Sequence, residues 1–389
     1  MNLYLKDPEP SPRWSPFGAS RPISELRAGA WLIRERWEAI AGGETQAIFS
    51  PAESLHAFTE DSTARVGPVE PVDGPAIVGR SDFAPTGVTP QFPNAPARLT
   101  NGEDTVGWWV PAGTTWDGGG AEWGAVELDG FLLHGAFDLI TALEHFLVAD
   151  VADFVHEGGD AIPDGCVVIG DPLDVVLLGA SVEPGVTFDA RAGAIVLEQH
   201  VYVKAGTRFE GPLYVGPGTE VLGGRIHASS IGPRCRVHGE ISHSVFLGYG
   251  NKAHEGFVGH SAVGRWVNLG ANTVTSDLKN TYGHVRLQVG DEFTETHRQY
   301  LGSLVGDHAK TAIGTLFETG TVVGTGANVF GAVRPPKYIP PFAWGTGGEV
   351  MNADGFLTVA TRVMPRRDVA VTDEVRHMLE QLYRSAVPR

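Results

Sequence analysis

Cysteine is nearly missing: Cys166 and Cys235 are the only two in 389 residues. Two cysteines build neither a disulfide framework nor a cysteine-based zinc site, and such sparing use fits a reducing cytoplasm. Cations are also scarce. Lys and Arg number 29 against 46 Asp and Glu, a formal net charge of −17. Phosphate-backbone binding needs clustered cations, so nucleic acid is excluded as an expected partner. No run of about 18 apolar residues occurs, so no membrane span is expected. The first ten residues turn charged and proline-rich by Lys6, without the apolar stretch of a secretory signal. Hydrophobic residues make up 42%, enough for a sizeable core, which excludes global disorder.

Glycine is what the chain has in excess: 51 of 389, about twice the usual share of roughly 7%. Much of it belongs to a repeat of six. Val263-Gly264 leads to Leu269-Gly270 and then Val274; Val215-Gly216 precedes Val221; Ile231-Gly232 precedes Val237; Val323-Gly324 precedes Val329. Extending back from Leu269 in sixes gives Val263, Phe257, Asn251 and Val245. This pattern predicts a β-helix. Each flat side carries one inward aliphatic that stacks on its equivalents in neighbouring coils, and Gly or Asn turns the corners at positive φ. Three sides of six give about 18 residues per coil and roughly eight coils between Ile162 and Val333. A β-sandwich would instead show strict alternation with turns every 8–12 residues.

The hexads break from Thr275 to Tyr300, where Val285, Leu287 and Val289 alternate with Arg286 and Gln288 before Gly290-Asp291. This reads as a hairpin leaving one corner. Residues 1–155 have a different texture, dense in Trp, with helices expected over Ile23–Ala41 and Phe137–Phe154. Short strands are expected at Ile77–Val78, Gly107–Val110 and Ala125–Leu128. After Val333 the hexads stop at Pro335-Pro336. A short helix is expected from Asp354 to Val363. A final helix is expected from the N-cap Thr372, with Val375, Met378, Leu379 and Leu382 facing the rod or a neighbouring subunit.

Two stretches, Gly248-Tyr249-Gly250-Asn251-Lys252-Ala253-His254-Glu255-Gly256-Phe257-Val258-Gly259-His260 and Val267-Asn268-Leu269-Gly270-Ala271-Asn272-Thr273, carry a resemblance. They are similar to the acetyltransferase half of the bifunctional UDP-N-acetylglucosamine pyrophosphorylase / glucosamine-1-phosphate N-acetyltransferase (GlmU-like) family. Thr275 to Asn280, Gly306 to Thr311, and Arg21 to Trp37 resemble a divergent bacterial branch of sugar nucleotidyltransferases. The resemblance implies an α/β nucleotidyltransferase-like domain over 1–155. It implies a left-handed β-helix acyltransferase domain over 156–333 with the hairpin at 275–300, and a helical tail over 334–389. It also implies a cytoplasmic homotrimer that binds acetyl-CoA and an amino sugar phosphate between subunits, in nucleotide-sugar biosynthesis.

By the same resemblance, His254 is the general base that deprotonates the amine, a task suited to imidazole. Glu240, Lys252, Asn268 and Lys279 would face the acceptor, and Ala271 and Thr315 would lie near coenzyme A. Three departures bear on the acceptor: Phe257 replaces a tyrosine, Asp277-Leu278 replaces Asn-Tyr, and Ser242 replaces a basic residue. Phosphate could meet Arg225, Arg234, Arg236 or Lys279.

In the N-terminal domain, the phosphate loop of nucleotidyltransferases is replaced by Lys6-Asp7-Pro8-Glu9-Pro10-Ser11-Pro12-Arg13, which offers few N–H donors and adds negative charge. Arg13 and Arg21 would stand for the nucleotide-binding cations, and Asn94 is the nearest candidate for the magnesium aspartate. Mg2+ would be needed only for nucleotidyl transfer; the plainer reading is a degenerate or structural domain. Two further readings differ in class. His238 and His243 form an H-x4-H pair that resembles γ-class carbonic anhydrases and suits zinc, with His260 or His254 as a third ligand. A non-catalytic trimeric scaffold would need neither acetyl-CoA nor His254.

Overall fold

The structure, a computed structural model, describes residues 1–60 and 62–387. Chain contacts divide it into two units: Met1–Trp14 with Gly18–Gly135 and the chain from Val371 on, and Ser15–Phe17 with Ala136–Ala370.

The first unit is an α/β layer. In its seven-stranded sheet, Asn2–Lys6 pairs in parallel with Thr45–Phe49 and with the central strand Ala76–Arg80. Asp104–Val110 runs antiparallel to Ala76–Arg80 and leads to Ala97–Asn101 and Gly124–Glu127. Helix α1 covers Ile33–Ala41, shorter than the expected Ile23–Ala41. Gly29, at φ +70°, turns Arg27–Ala28 back on Trp31–Leu32 as a two-stranded hairpin, which a helix cannot contain. Ile33, Trp37 and Ile40 face the sheet, and Trp37 Nε1 donates to the carbonyls of Arg80 and Phe83 at 3.0 Å.

The second unit is a left-handed β-helix. We call its flat sides faces one, two and three, in the order the chain visits them. Face two is the longest, nine parallel strands from Val175–Leu177 to Tyr338–Ile339. The inward column Val215, Ile231, Phe246, Val263, Val305, Val323 and Ile339 fills the interior with its counterparts on the other faces. The coil therefore runs past Val333: Val322–Val323 pairs with Tyr338–Ile339, and Asn328 with Trp344. Coil length also varies. Ser230 pairs with Val245, fifteen residues on, whereas Leu304 pairs with Val322, eighteen on. Strict sixes therefore lose register near Asn251.

The hexad glycines do not turn the corners. Gly216, Gly232, Gly264 and Gly324 lie just after face-two strands, where the next coil passes too close for a side chain. A Cβ at Gly324 would meet Pro341 N at 2.3 Å. The left-handed turns come two or three residues later. Gly218, Arg234, Tyr249, Trp266, His308, Gly326 and Phe342 all sit at positive φ on successive coils.

A second corner, between faces three and one, is lined by Gly224, Gly239 and Gly256 at φ +92°, +85° and +130°. A Cβ on Gly256 would meet the Thr273 carbonyl oxygen at 2.2 Å. Gly256→Ala is expected to destabilise the solenoid by about 2–3 kcal/mol, because backbone strain and overpacking act together. Denaturant unfolding of the purified variant measures this.

Helix α2, Asp138–Glu157, belongs to the solenoid unit, although its sequence texture groups it with the N-terminal domain. Its Phe154 ring lies 6.0 Å from Tyr214 on face two. The insertion carries a hairpin, Arg286–Val289 against Glu292–Glu295, and Arg298 ties its base to Thr141 and Glu144 of α2 at 2.7 Å each. Helix α3, Ala353–Val363, starts at Asn352, whose side chain accepts from the Gly355 amide. Helix α4, Asp373–Ala386, is capped by Thr372. It belongs to the first unit: Met378, Leu379 and Leu382 are buried, and the Thr59 amide donates to Met378 Sδ. No described helix is long and apolar enough to cross a membrane.

Candidate active site on the solenoid

The corner between faces three and one carries His254. The chain leaves face three at Asn251–Lys252 and enters face one at Phe257–Gly259, and His254 is exposed on the turn between. Backbone hydrogen bonds stack the next coils on this turn. The Asn272 amide donates to Glu255, and the Gly314 amide donates to Ala271, each at 2.8 Å. Ala271 and Thr315 therefore fall on the same corner as His254, one and two coils on. Thr315 is buried, and its hydroxyl donates to the Ala312 carbonyl at 2.9 Å.

Lys252 supports the turn from inside. It continues the inward column of Val221 and Val237, and it is buried. Its Nζ donates to the carbonyls of His238 and His254, each at 2.8 Å. Burial pulls its ammonium down to about 8. The acceptor-facing role expected for Lys252 does not match this orientation, because an inward column position aims the side chain at the core.

Glu240 and Asn268 flank His254 on its two sides. Glu240 stands beside Phe257 on face one and accepts from Arg225 Nη1 at 3.1 Å. It ends a ladder of alternating charges in which Arg225 also donates to Glu210, and Arg208 to both Glu210 and Asp189. Hydrogen bonding by Arg225 holds Glu210 down to about 2, and Arg191 does the same for Asp189. Asn268 accepts from Asn251 Nδ2 at 2.8 Å on face three. It lines a cleft of about 290 Å³ with Arg236, Tyr249, Trp266, Lys310 and Arg367. Lys279 lies elsewhere, with Arg334 and Lys337 around a cavity of about 490 Å³, and its Nζ donates to the His284 carbonyl.

The other histidines separate by corner. His238 sits where face three turns into face one, and His243 where face one turns into face two, with the strand Glu240–Ser242 between them. The H-x4-H pair therefore does not converge on one metal within a chain. Among the described residues no group of three His, Cys, Asp or Glu side chains is placed to hold a metal ion. His243 instead stacks on His260 at 4.7 Å, with His227 edge-on at 4.9 Å. His260 Nδ1 meets Asp277 Oδ2 at 2.8 Å. Burial, then the charges of His260 and His227, pull His243 down to about 4. Sequence spacing does not reveal this stack, because its members are 16 and 17 residues apart and meet only once the coil lengths are known.

In the N-terminal unit, Arg13 is exposed, but Arg21 is buried and paired with Glu60 through two hydrogen bonds of 3.1 Å. Asp7, just after the first strand, is buried, and the Ile23 amide donates to it at 3.2 Å. The strand Ala76–Arg80 leads directly to Asp82, a closer counterpart of the expected magnesium aspartate than Asn94. Both Asp82 oxygens accept from Arg80, at 2.9 and 2.6 Å. Arg80 thus already supplies the counter-charge of Asp82, while each oxygen keeps a second lone pair.

No protein-family model matches the chain. The chain is 28% identical over 154 residues to a bifunctional sugar-1-phosphate nucleotidylyltransferase/acetyltransferase of Sulfurisphaera tokodaii, covering 36% of each chain. It is 31% identical over 86 residues to the bifunctional protein GlmU of Methanocaldococcus jannaschii, and 28% identical over 86 residues to that of Methanococcus aeolicus. These two matches cover 22% of this chain and 21% of the relative. The chain thus spans about a third of the first relative's length and about a fifth of the others'. In fold and in these likenesses, the chain resembles the GlmU-like sugar-1-phosphate nucleotidylyltransferase/acetyltransferases.

Proposed function

We propose that the chain transfers an acetyl group from acetyl-CoA to the amine of a sugar phosphate, in nucleotide-sugar biosynthesis. The observation that supports this reading is the single corner shared by His254, Ala271 and Thr315, with Glu240 and Asn268 on either side. The His254 imidazole takes a proton from the acceptor's ammonium. The freed amine attacks the thioester carbonyl carbon, forming the C–N bond. The C–S bond then breaks, the departing thiolate receives the proton held by His254, and the surplus proton on the new amide nitrogen is released to solvent. Corner backbone amides would stabilise the oxyanion of the tetrahedral intermediate. The proposed assembly is a trimer with coenzyme A in the clefts between subunits, as the resemblance implies. Nucleotidyl transfer remains the second activity of this reading, without Arg21 as a nucleotide contact, because Glu60 engages it.

The test is thiol release from acetyl-CoA in the presence of a panel of amino sugar phosphates. Release that requires an amine-bearing acceptor supports acyl transfer and identifies the acceptor class. No release with any member of the panel would favour the scaffold reading.

A further inference from the structure

The chain carries a net charge of −17, yet four of its cations converge on one cleft. Arg236 and Lys310 enter from face three; Arg366 and Arg367 enter from the segment after helix α3. No carboxylate is among the residues that line it. Glu220 meets Arg236 Nη2 at 2.8 Å and offsets one charge, and Asp368 is engaged by Arg234 at 3.0 Å. Like charges brought together and partly desolvated are unfavourable without a counter-charge. Burial, then the Arg236 charge, lower the Arg367 guanidinium from its usual value, and burial pulls Lys310 down to about 8. Arg236 Nε is buried with no hydrogen-bond partner.

The backbone holds this arrangement in place. Arg367 Nε donates to the Arg234 carbonyl at 3.1 Å, and Arg234 Nη1 donates to the Arg367 carbonyl at 2.8 Å. Lys310 Nζ has one bond of 2.9 Å, to the His308 carbonyl. Beside the cations stand Tyr249 and Trp266, stacked with ring centroids 4.4 Å apart and 27° between planes. Their left-handed corner conformations put them in one column.

We propose that this cleft is a phosphate-binding site that takes a phosphate or diphosphate ester whose ring lies against the Tyr249–Trp266 column. Arginine forks match phosphate oxygens. His308 stacks on Trp266 at 6.2 Å and the Arg265 guanidinium lies over Tyr249 at 5.4 Å, so the column offers its ring edges to the apolar side of a base or sugar. A volume of about 290 Å³ holds a phosphate and one ring. Nucleoside phosphates and sugar phosphates share this chemistry. The cleft adjoins the proposed acyl-transfer site through Asn268, which lines both, and its identification as an ester site rests on that reading only for the choice of sugar phosphate as a ligand.

The experiment is calorimetric titration of the full-length protein, with no acyl donor, using ADP, glucosamine 1-phosphate, inorganic phosphate and adenosine. At least one phosphate ester should bind more tightly than inorganic phosphate, and adenosine should not bind. The tighter of ADP and glucosamine 1-phosphate identifies the source of the ring. Arg366→Gln, at an exposed position, should weaken binding about tenfold, and added salt should weaken it further. Trp266→Ala should remove the preference for ring-bearing esters over inorganic phosphate. Absence of binding by every phosphate ester, or binding unchanged in both variants, overturns the proposal. Because no turnover is measured, failure of acyl transfer leaves this result standing.

Discussion

His254→Ala is expected to lower the rate of thiol release by about 10²–10⁴-fold, the usual contribution of a general base. The reason lies in what the amine needs. A sugar ammonium cannot attack a thioester until it loses a proton, and His254 is the exposed imidazole on the corner that also carries Ala271 and Thr315. Stability should hardly change. The side chain is outside the stacked core, and the contacts that hold this turn are made by backbone carbonyls with Lys252 Nζ. Two measurements separate chemistry from folding. Melting temperature should match wild type, and acetyl-CoA binding should persist. Wild-type kcat in His254→Ala would remove His254 from the mechanism.

Asp7→Asn should stabilise the protein in alkaline solution and leave it nearly unchanged in acid. Burial pushes the Asp7 carboxyl up from 3.8 to about 7, with a further push from the Asp82 charge, against the Ile23 amide that favours the anion. A carboxyl with a raised folded-state value binds its proton more tightly in the native chain. Its favourable contribution is complete below the unfolded value of 3.8 and is lost as pH rises through 7. Above pH 8 the native state carries a buried anion that the asparagine variant does not. Each tenfold gain in proton affinity corresponds to about 1.4 kcal/mol, so the variant should gain up to about 4 kcal/mol at pH 8. It should gain close to nothing at pH 4. Thermal melts of both proteins from pH 4 to pH 9 measure this; parallel curves would show that Asp7 ionises in the native state as it does in the unfolded chain.

The parts of the fold legible in the sequence were those written into short spacings. Val215-Gly216, Ile231-Gly232, Val263-Gly264 and Val323-Gly324 mark the inward column of face two because an inward residue must recur on every coil. At these four positions the next coil passes too close for a side chain, whereas the coil between Gly232 and Gly264 carries Leu247 there. The expected use of those glycines was wrong, since contact distance rather than φ requires them. The helix expected from Ile23 failed because apolar spacing cannot register the left-handed Gly29 that closes a hairpin. Helix α4 was legible as a helix, whereas its partner was not: an apolar face does not name the surface that covers it.

The candidate site divides along the same line. Local periodicity already specified a solenoid with aliphatic columns. Tertiary structure decided the rest, because coils of fifteen to twenty-one residues, apart from the one carrying the insertion, set which side chains become neighbours. It turned Lys252 inward beneath His254 and bound Arg225 into a carboxylate ladder. Of the four cations that could have met phosphate, it left Arg236 facing the cleft with Lys310, Arg366 and Arg367. Charge on a residue is fixed by its chemistry. Whether that charge is available to a ligand depends on the partners that coil stacking brings within hydrogen-bond reach.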